Sequence, residues 1–188
     1  MGRISTFMQV SVDGYFAGLN GEIDWFKSNP DPEFESFSLE RAHGNSTLLF
    51  GRTTYEMMAG AWPTDEAHED HPGMAEIMAK SPKLVFSKSL QAVEESPRWQ
   101  NVELMRDIDA GALRDDERDF TTLGSGSIVQ QLTQFGLVGE YSFVVNPVLL
   151  GAGKNAFAGI DTAQLDLSEA RAFKNGLVWL TYHRGSRR

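Results

Sequence analysis

Twice along this chain an apolar run stops at a glycine and gives way at once to a helical pattern. "STLLFGRTTYEMMAGAW" covers residues 46–62 and "DFTTLGSGSIVQQLTQFGL" covers 119–137. The apolar run of the first suits a strand buried on both faces, and the residues after its glycine put Tyr55, Met58 and Trp62 on one side of a helix. A strand that turns tightly into a helix must recross the sheet before the next strand, so the repeated unit predicts an α/β fold with a mainly parallel sheet.

The other segments extend this pattern. Residues 4–12, "ISTFMQVSV", read as a strand followed by a glycine-punctuated loop, "DGYFAGLNGE". Asp31-Pro32 supplies an N-cap and first-turn proline for a helix to about His43. A helix is expected over 72–79 and strands over 83–87, 101–105 and 140–145, with "SIVQQLTQFGL" an amphipathic helix over 127–137. The end is different: "EARAFKNGLVWLTYHR" alternates on both sides of Asn175-Gly176, a two-residue hairpin signal. The expectation is one domain over 1–188, a mainly parallel sheet with helices on both faces and an antiparallel C-terminal ribbon, since no linker, repeat or low-complexity tract interrupts it.

Composition excludes several chemistries. There is no cysteine, hence no disulfide, thiolate nucleophile or zinc-thiolate site. A formal net charge of −9 argues against a nucleic-acid partner, which needs a basic patch. No apolar run approaches the roughly 18 residues of a membrane span, and no secretory h-region opens the chain, so a cytoplasmic protein is expected.

The two glycine turns carry the strongest chemical signal. In "FGRTTYE", Gly51 permits a turn at the carboxyl end of a strand, and the N–H groups at Arg52, Thr53 and Thr54 open a helix whose positive end suits an anion. Arg52 adds a cation that forks onto phosphate. The same residues also read as a plain capped helix with a solvated arginine. In "TLGSGSIV", Gly124 and Gly126 let backbone approach a ligand, and the N–H groups of Ser125, Ser127 and Ile128 are placed to cradle a pyrophosphate. Val129 stands where a dinucleotide fingerprint has its third glycine. Two such turns in one α/β chain point to a nucleotide crevice.

Other motifs are weaker. "VLLGAGKN" at 148–155 fails as a phosphate loop at both ends, through Val148 and Asn155. His68 and His71 lie within "TDEAHEDHPG", which reads as an exposed acidic loop rather than a metal site, and His43 and His183 have no partner in sequence. Asp13, Glu22 and Asp24 lie among Tyr15, Phe16, Trp25 and Phe26, where an acid beside apolar walls would have a raised pKa and donate a proton. Their alternative roles are a turn aspartate at Asp13-Gly14 and a helix-start acid at Glu22 or Asp24.

Taken in order, "SVDGYFA", "GEIDWF", "LLFGRTTYE", "KLVFSKS", "TTLGSGSIVQQL", "NPVLLGAGK" and "FKNGLVWLTYHR" resemble the dihydrofolate reductase-like superfamily. The branch they resemble most is the C-terminal reductase domain of bifunctional riboflavin-biosynthesis deaminase/reductases, with its stand-alone relatives. The resemblance implies a three-layer αβα fold with NADPH across the carboxyl ends of the strands. Gly51, Arg52, Thr53 and Thr54 would grip the adenosine-side phosphates, Arg52, Ser87 and Lys88 would lie near the 2′-phosphate, and Gly124, Ser125, Gly126, Ser127 and Ile128 would hold the pyrophosphate. The first loop, through Phe16 and Ala17, would pass over the nicotinamide as a lid.

The same resemblance makes Asp13 and Glu22 the candidate catalytic carboxylates, with Asp13, Trp25, Phe26, Asn146 and Pro147 on the substrate side. Glu22 stands three positions before Trp25-Phe26, as the pterin-contacting carboxylate does in dihydrofolate reductases, while Asp13 matches the S-x-D-G motif of the riboflavin branch. No metal is implied, and the deaminase motifs H-x-E and C-x-x-C are absent. The expected function is NADPH-dependent hydride transfer to a pyrimidine- or pterin-like metabolite, in the manner of a 5-amino-6-(5-phosphoribosylamino)uracil reductase of riboflavin biosynthesis; the alternatives are a non-catalytic nucleotide- or metabolite-binding module on the same fold, a dihydrofolate reductase-like enzyme or a xenobiotic reductase. Family habit and the apolar ribbon "LVWLTY", either core or interface, lead to an expected homodimer.

Overall fold

The computed structural model describes residues 2–27, 31–42 and 45–185, so His43 lies outside the described residues. Its centre is an eight-stranded sheet made of β1 (Ile4–Ser11), β2 (Thr47–Gly51), β3 (Lys83–Phe86), β4 (Val102–Met105), β5 (Phe120–Leu123), β6 (Glu140–Asn146), β7 (Leu165–Ala172) and β8 (Val178–Arg184), in the order β4-β3-β2-β5-β1-β6-β8-β7. The six strands from β4 to β6 run parallel, and β8 pairs antiparallel with both β6 and β7. "LVWLTY" therefore lies inside the sheet, with Trp179 buried, and β4 and β7 form its two edges.

Alternation along each strand sends side chains to two helical layers. On one face α1 (Pro32–Arg41) sets Phe37 against Val144, Phe173 and Trp179, while α2 (Arg52–Ala61) and α4 (Pro72–Lys80) set Tyr55 and Met78 against Leu48, Phe50 and Val85. On the other, α5 (Ala110–Asp115) and α6 (Gly126–Gln134) pack Leu113, Ile128 and Leu132 onto Ile4, Leu49, Leu84, Phe86 and Phe120. Full burial of each such side chain contributes about 1.5–3 kcal/mol. The three layers follow from the sequence: Leu48 and Phe50 serve one layer and Leu49 the other.

Two helices depart from the sequence expectation. "TDEAHEDHPG" is not a loop: Thr64 caps α3 (Asp65–Asp70) by accepting from the Ala67 N–H at 3.2 Å, and acids in its first turn suit the helix dipole. Asp109 likewise caps α5 by accepting from Gly111 and Ala112 N–H, a turn too short for periodicity to reveal. The ribbon also starts earlier than 169, because a register shift between Leu167 and Glu169 breaks the alternation that marks a strand.

Lys83 is buried at the start of β3. Its Nζ donates to the carbonyls of Ser81 at 2.7 Å, Gln100 at 2.9 Å and Ala79 at 3.3 Å, and lies 4.5 Å from the Trp99 ring centroid. It closes the C-terminal end of α4 over the sheet. Burial pushes its ammonium down to about 8.

Candidate functional site

The chain leaves β2 toward β3 through α2 on one face, and leaves β5 toward β6 through α6 on the other. Because β2 and β5 are neighbours, a crevice opens at their carboxyl ends, the position where ligands bind in open α/β sheets. Both glycine turns lie there. They are joined directly: the Gly51 N–H donates to Oγ of Ser125 at 3.0 Å. Gly124 and Ser125 are left-handed, with φ of 66° and 53°, which aims the start of α6 back at β2.

The open amides of this crevice differ in part from those expected. At α2 no side chain caps the helix, so the first-turn N–H groups from Arg52 onward face outward. At α6 the Ile128 N–H is spent on the Ser125 carbonyl at 2.8 Å, and Ile128 instead lines the crevice with its side chain. Gly126 and Ser127 keep the amides at that end. A Cβ on Gly126 would run into the Phe16 ring, and one on Gly51 would lie 3.4 Å from Ile128.

The crevice is one end of a trough of about 1290 Å³ that runs along the α1/α2 face of the sheet. Beyond the glycine turns it meets Arg52, Lys88 and Arg106. Among the described residues Arg52 is paired with Glu56, one turn along at 3.6 Å. Lys88 pairs with Asp107 at 2.8 Å, and the carboxylate raises its pKa. Arg106, absent from the sequence reading, donates to the carbonyls of Leu90 at 2.5 Å and Ser87 at 3.1 Å. Ser87 lines the trough, but its Oγ accepts from Ser89 and Leu90 N–H and holds the loop carrying Lys88. Arg106 stands on β4's far end, remote from any glycine motif, so only the parallel register brings it to the site.

The first loop is stitched to residues 148–154. Val12 N–H donates to Val148, Phe16 N–H to Lys154, and Lys154 N–H to Ala17, at 2.8 to 3.0 Å. "VLLGAGK" is thus a strap for the loop. Phe16 and Ala17 line the trough as a result.

The two carboxylates behave oppositely to the raised-pKa expectation. Asp13 accepts from Ser11 Oγ at 2.6 Å, Gly151 N–H at 2.7 Å and Leu150 N–H at 3.2 Å; the Ser11 hydroxyl, then those amides, lower its pKa. Glu22 accepts from Asn20 Nδ2 at 2.7 Å and Asn20 N–H at 3.0 Å, and Asn20 chiefly lowers its pKa too. Both are exposed, neither lines the trough, and donors rather than apolar walls surround them, which favours the ionised form.

A model of the RibD C-terminal domain family matches residues 3–179. The chain belongs to this family. It is 27% identical over 184 residues to an uncharacterized Bacillus subtilis protein, YyaP, covering 96% of this chain and 94% of that protein. Its fold is shared with a putative riboflavin biosynthesis protein from Shewanella sp. PV-4, at a TM-score of 0.75 and 22% identity over 98% of this chain and 99% of that one. A diaminohydroxyphosphoribosylaminopyrimidine deaminase/5-amino-6-(5-phosphoribosylamino)uracil reductase from Thermotoga maritima shares it at 0.63 and 12% identity. That match covers 98% of this chain and 57% of the bifunctional protein, so this RibD C-terminal domain spans just over half its length.

In this RibD C-terminal domain the residues expected on the substrate side separate. Phe26 lines the trough, whereas Trp25 stacks edge-on against it, centroids 4.2 Å apart, and donates to the Glu22 carbonyl. Pro147 is exposed and sits beside Gly176 of the hairpin turn. Asn146 is buried, and its Nδ2 donates to the Val10 and Val144 carbonyls and to Oε1 of Gln9 at 3.2 Å. The two carbonyls fix Asn146's amide orientation, and that fixes Gln9 with its own N–H groups turned away. Gln9, missed in the sequence because a lone glutamine in an apolar strand carries no motif, is the amide on the trough floor. Among the described residues no group of three or more His, Asp or Glu could hold a metal, and no helix is long and apolar enough to cross a membrane.

Proposed function

We propose that this chain is an NADPH-dependent reductase of a small ring-containing metabolite. One observation carries the reading: two glycine turns, hydrogen-bonded to each other at the sheet's switch point, open outward onto Arg52, Lys88 and Arg106. A dinucleotide fits the residues present. Gly126 leaves no room for a side chain beside Phe16, the first amides of α2 and α6 suit phosphate oxygens, and three cations suit a 2′-phosphate. The trough volume exceeds that of a usual single-ligand site, roughly 300–1,000 Å³, leaving room for a second molecule.

When bound, the cofactor supplies a hydride. The protein's part is alignment and exclusion of water. Gly51 through Thr54 and Gly124 through Ser127 hold phosphates, Arg52 and Lys88 select the 2′-phosphate, and Phe16 and Ala17 cover the reacting end. Gln9 offers N–H to a substrate carbonyl. Asp13 and Glu22 act as positioning residues that keep the loop folded, and the proton completing the reduction comes from water, since both acids are held ionised.

Titrating NADPH onto the protein, followed by nicotinamide fluorescence, tests the reading. Saturation below millimolar cofactor is expected; none at millimolar sinks it.

A further inference from the structure

The face of the sheet opposite the trough carries a separate cavity of about 280 Å³. It lies where Tyr141 and Phe143 of β6 and Leu165 of β7 meet Thr133, in the last turn of α6, and the connection through residues 157–163. Alternation along β6 puts Tyr141 and Phe143 on this face together. Their rings are nearly parallel, 9° apart with centroids 6.4 Å from each other. Phe157 crosses both, 6.1 Å from Tyr141 at 63° and 5.8 Å from Phe143 at 71°. Tyr141 is buried and its hydroxyl is paired with Oγ1 of Thr133 at 3.3 Å, so the cavity meets its ring rather than a free phenol.

A carboxylate completes this aromatic wall. Asp161 is the only charged residue on the described lining. It is exposed, and among the described residues its carboxylate has no hydrogen bond or ion pair. Two arginines stand at the turn that follows α6, Arg114 donating to the Phe135 carbonyl at 3.5 Å and Arg184, across from Leu165, lying against Gly136. Neither lines the cavity.

Aromatic faces carry a negative quadrupole that attracts a cation, whereas an anion is repelled and an uncharged apolar guest gains nothing from Asp161. A metal ion needs several oxygen ligands, and one carboxylate among mostly apolar walls does not supply them. An alkylated ammonium matches both parts of the site, since its methyl groups pack on the rings while its charge faces Asp161. The formal net charge of −9 raises the local concentration of any cation. At 280 Å³ the space falls just below the roughly 300–1,000 Å³ of ordinary ligand pockets, which keeps the guest small.

We propose that this cavity binds a small quaternary ammonium compound. No residue lines both this cavity and the trough, so the site stands whether or not the trough holds NADPH.

The test uses the whole chain, choline, and 3,3-dimethylbutan-1-ol, which has choline's shape without its charge. Titrations at constant ionic strength are followed by backbone amide shifts. Choline is expected to saturate below about 10 mM, with shifts concentrated at residues 157–163, and the neutral alcohol to bind at least about tenfold more weakly. Asp161→Asn, at an exposed position, should weaken choline about threefold or more. Phe157→Leu keeps an apolar side chain but removes the ring, and should weaken choline more than the alcohol. No saturation by choline, equal affinity for the two compounds, shifts centred elsewhere, or an Asp161→Asn protein that binds choline as the wild type does would each overturn the proposal. If Phe157→Leu does not fold, the wild-type ratio and Asp161→Asn still decide.

Discussion

Replacing Gly126 with alanine should change sign with the residue at position 16. Gly126 is absent from the glycines with positive φ, so its backbone accepts alanine, which elsewhere stabilises by about 0.4–1 kcal/mol through the unfolded chain. Here the new methyl would enter the Phe16 ring at Cζ and Cε1, with Cε2 at 3.1 Å. The backbone beside the ring is tied down, Phe16 N–H donating to the Lys154 carbonyl and Lys154 N–H to the Ala17 carbonyl, so the ring yields only by leaving its own side-chain rotamer. Overpacking of this kind costs about 1–3 kcal/mol. Gly126→Ala should therefore destabilise the wild type, and become neutral or stabilising in a Phe16→Ala background, a coupling of at least about 1 kcal/mol. Urea unfolding of the four proteins measures it, with a melting shift of roughly 2–4 °C per kcal/mol for a chain of this length. Equal effects of Gly126→Ala in both backgrounds would refute the packing of Phe16 on the second glycine turn. It would also remove the physical basis for the loop acting as a lid there.

Arg52→Ala should weaken NADPH by about 1–3 kcal/mol, roughly 5- to 150-fold, and NADH far less, with the difference shrinking as salt rises; equal loss for both cofactors in parallel titrations removes Arg52 from the 2′-phosphate. Asp13→Asn loses an acceptor for Leu150 and Gly151 N–H, so those amides should exchange faster with solvent while NADPH affinity stays close to wild type. Because its folded pKa is lowered, Asp13's contribution to stability is present above its unfolded value near 3.8 and is lost as pH falls through the lower folded one. Lys83 has the reverse sense for a base: folded near 8 and unfolded near 10.4, it releases its proton first in the native state, so wild-type stability should rise between these pH values relative to Lys83→Met, by up to about 3 kcal/mol in paired urea titrations. A parallel pH dependence in the two proteins would show that Lys83 does not titrate there.

Local patterns determined much of this molecule. Short apolar runs ending at Gly51 and Gly124, and alternation around Asn175-Gly176, specify strands, turns and a hairpin because each depends on neighbours a few residues away. From these came the three layers, the two phosphate-competent turns and Arg52. The tertiary structure alone decided which of those turns touch, since β5 comes to lie beside β2 only after the chain has built β3 and β4. It brought Arg106 and Gln9 into the trough, removed Asn146 and Pro147 from it, and gave the acidic stretch a helix through one threonine cap. It also reversed the sense of Asp13 and Glu22. A carboxylate's pKa depends on which donors fold against it, and for Asp13 those donors come from Leu150 and Gly151, far along the chain, where no spacing rule reaches.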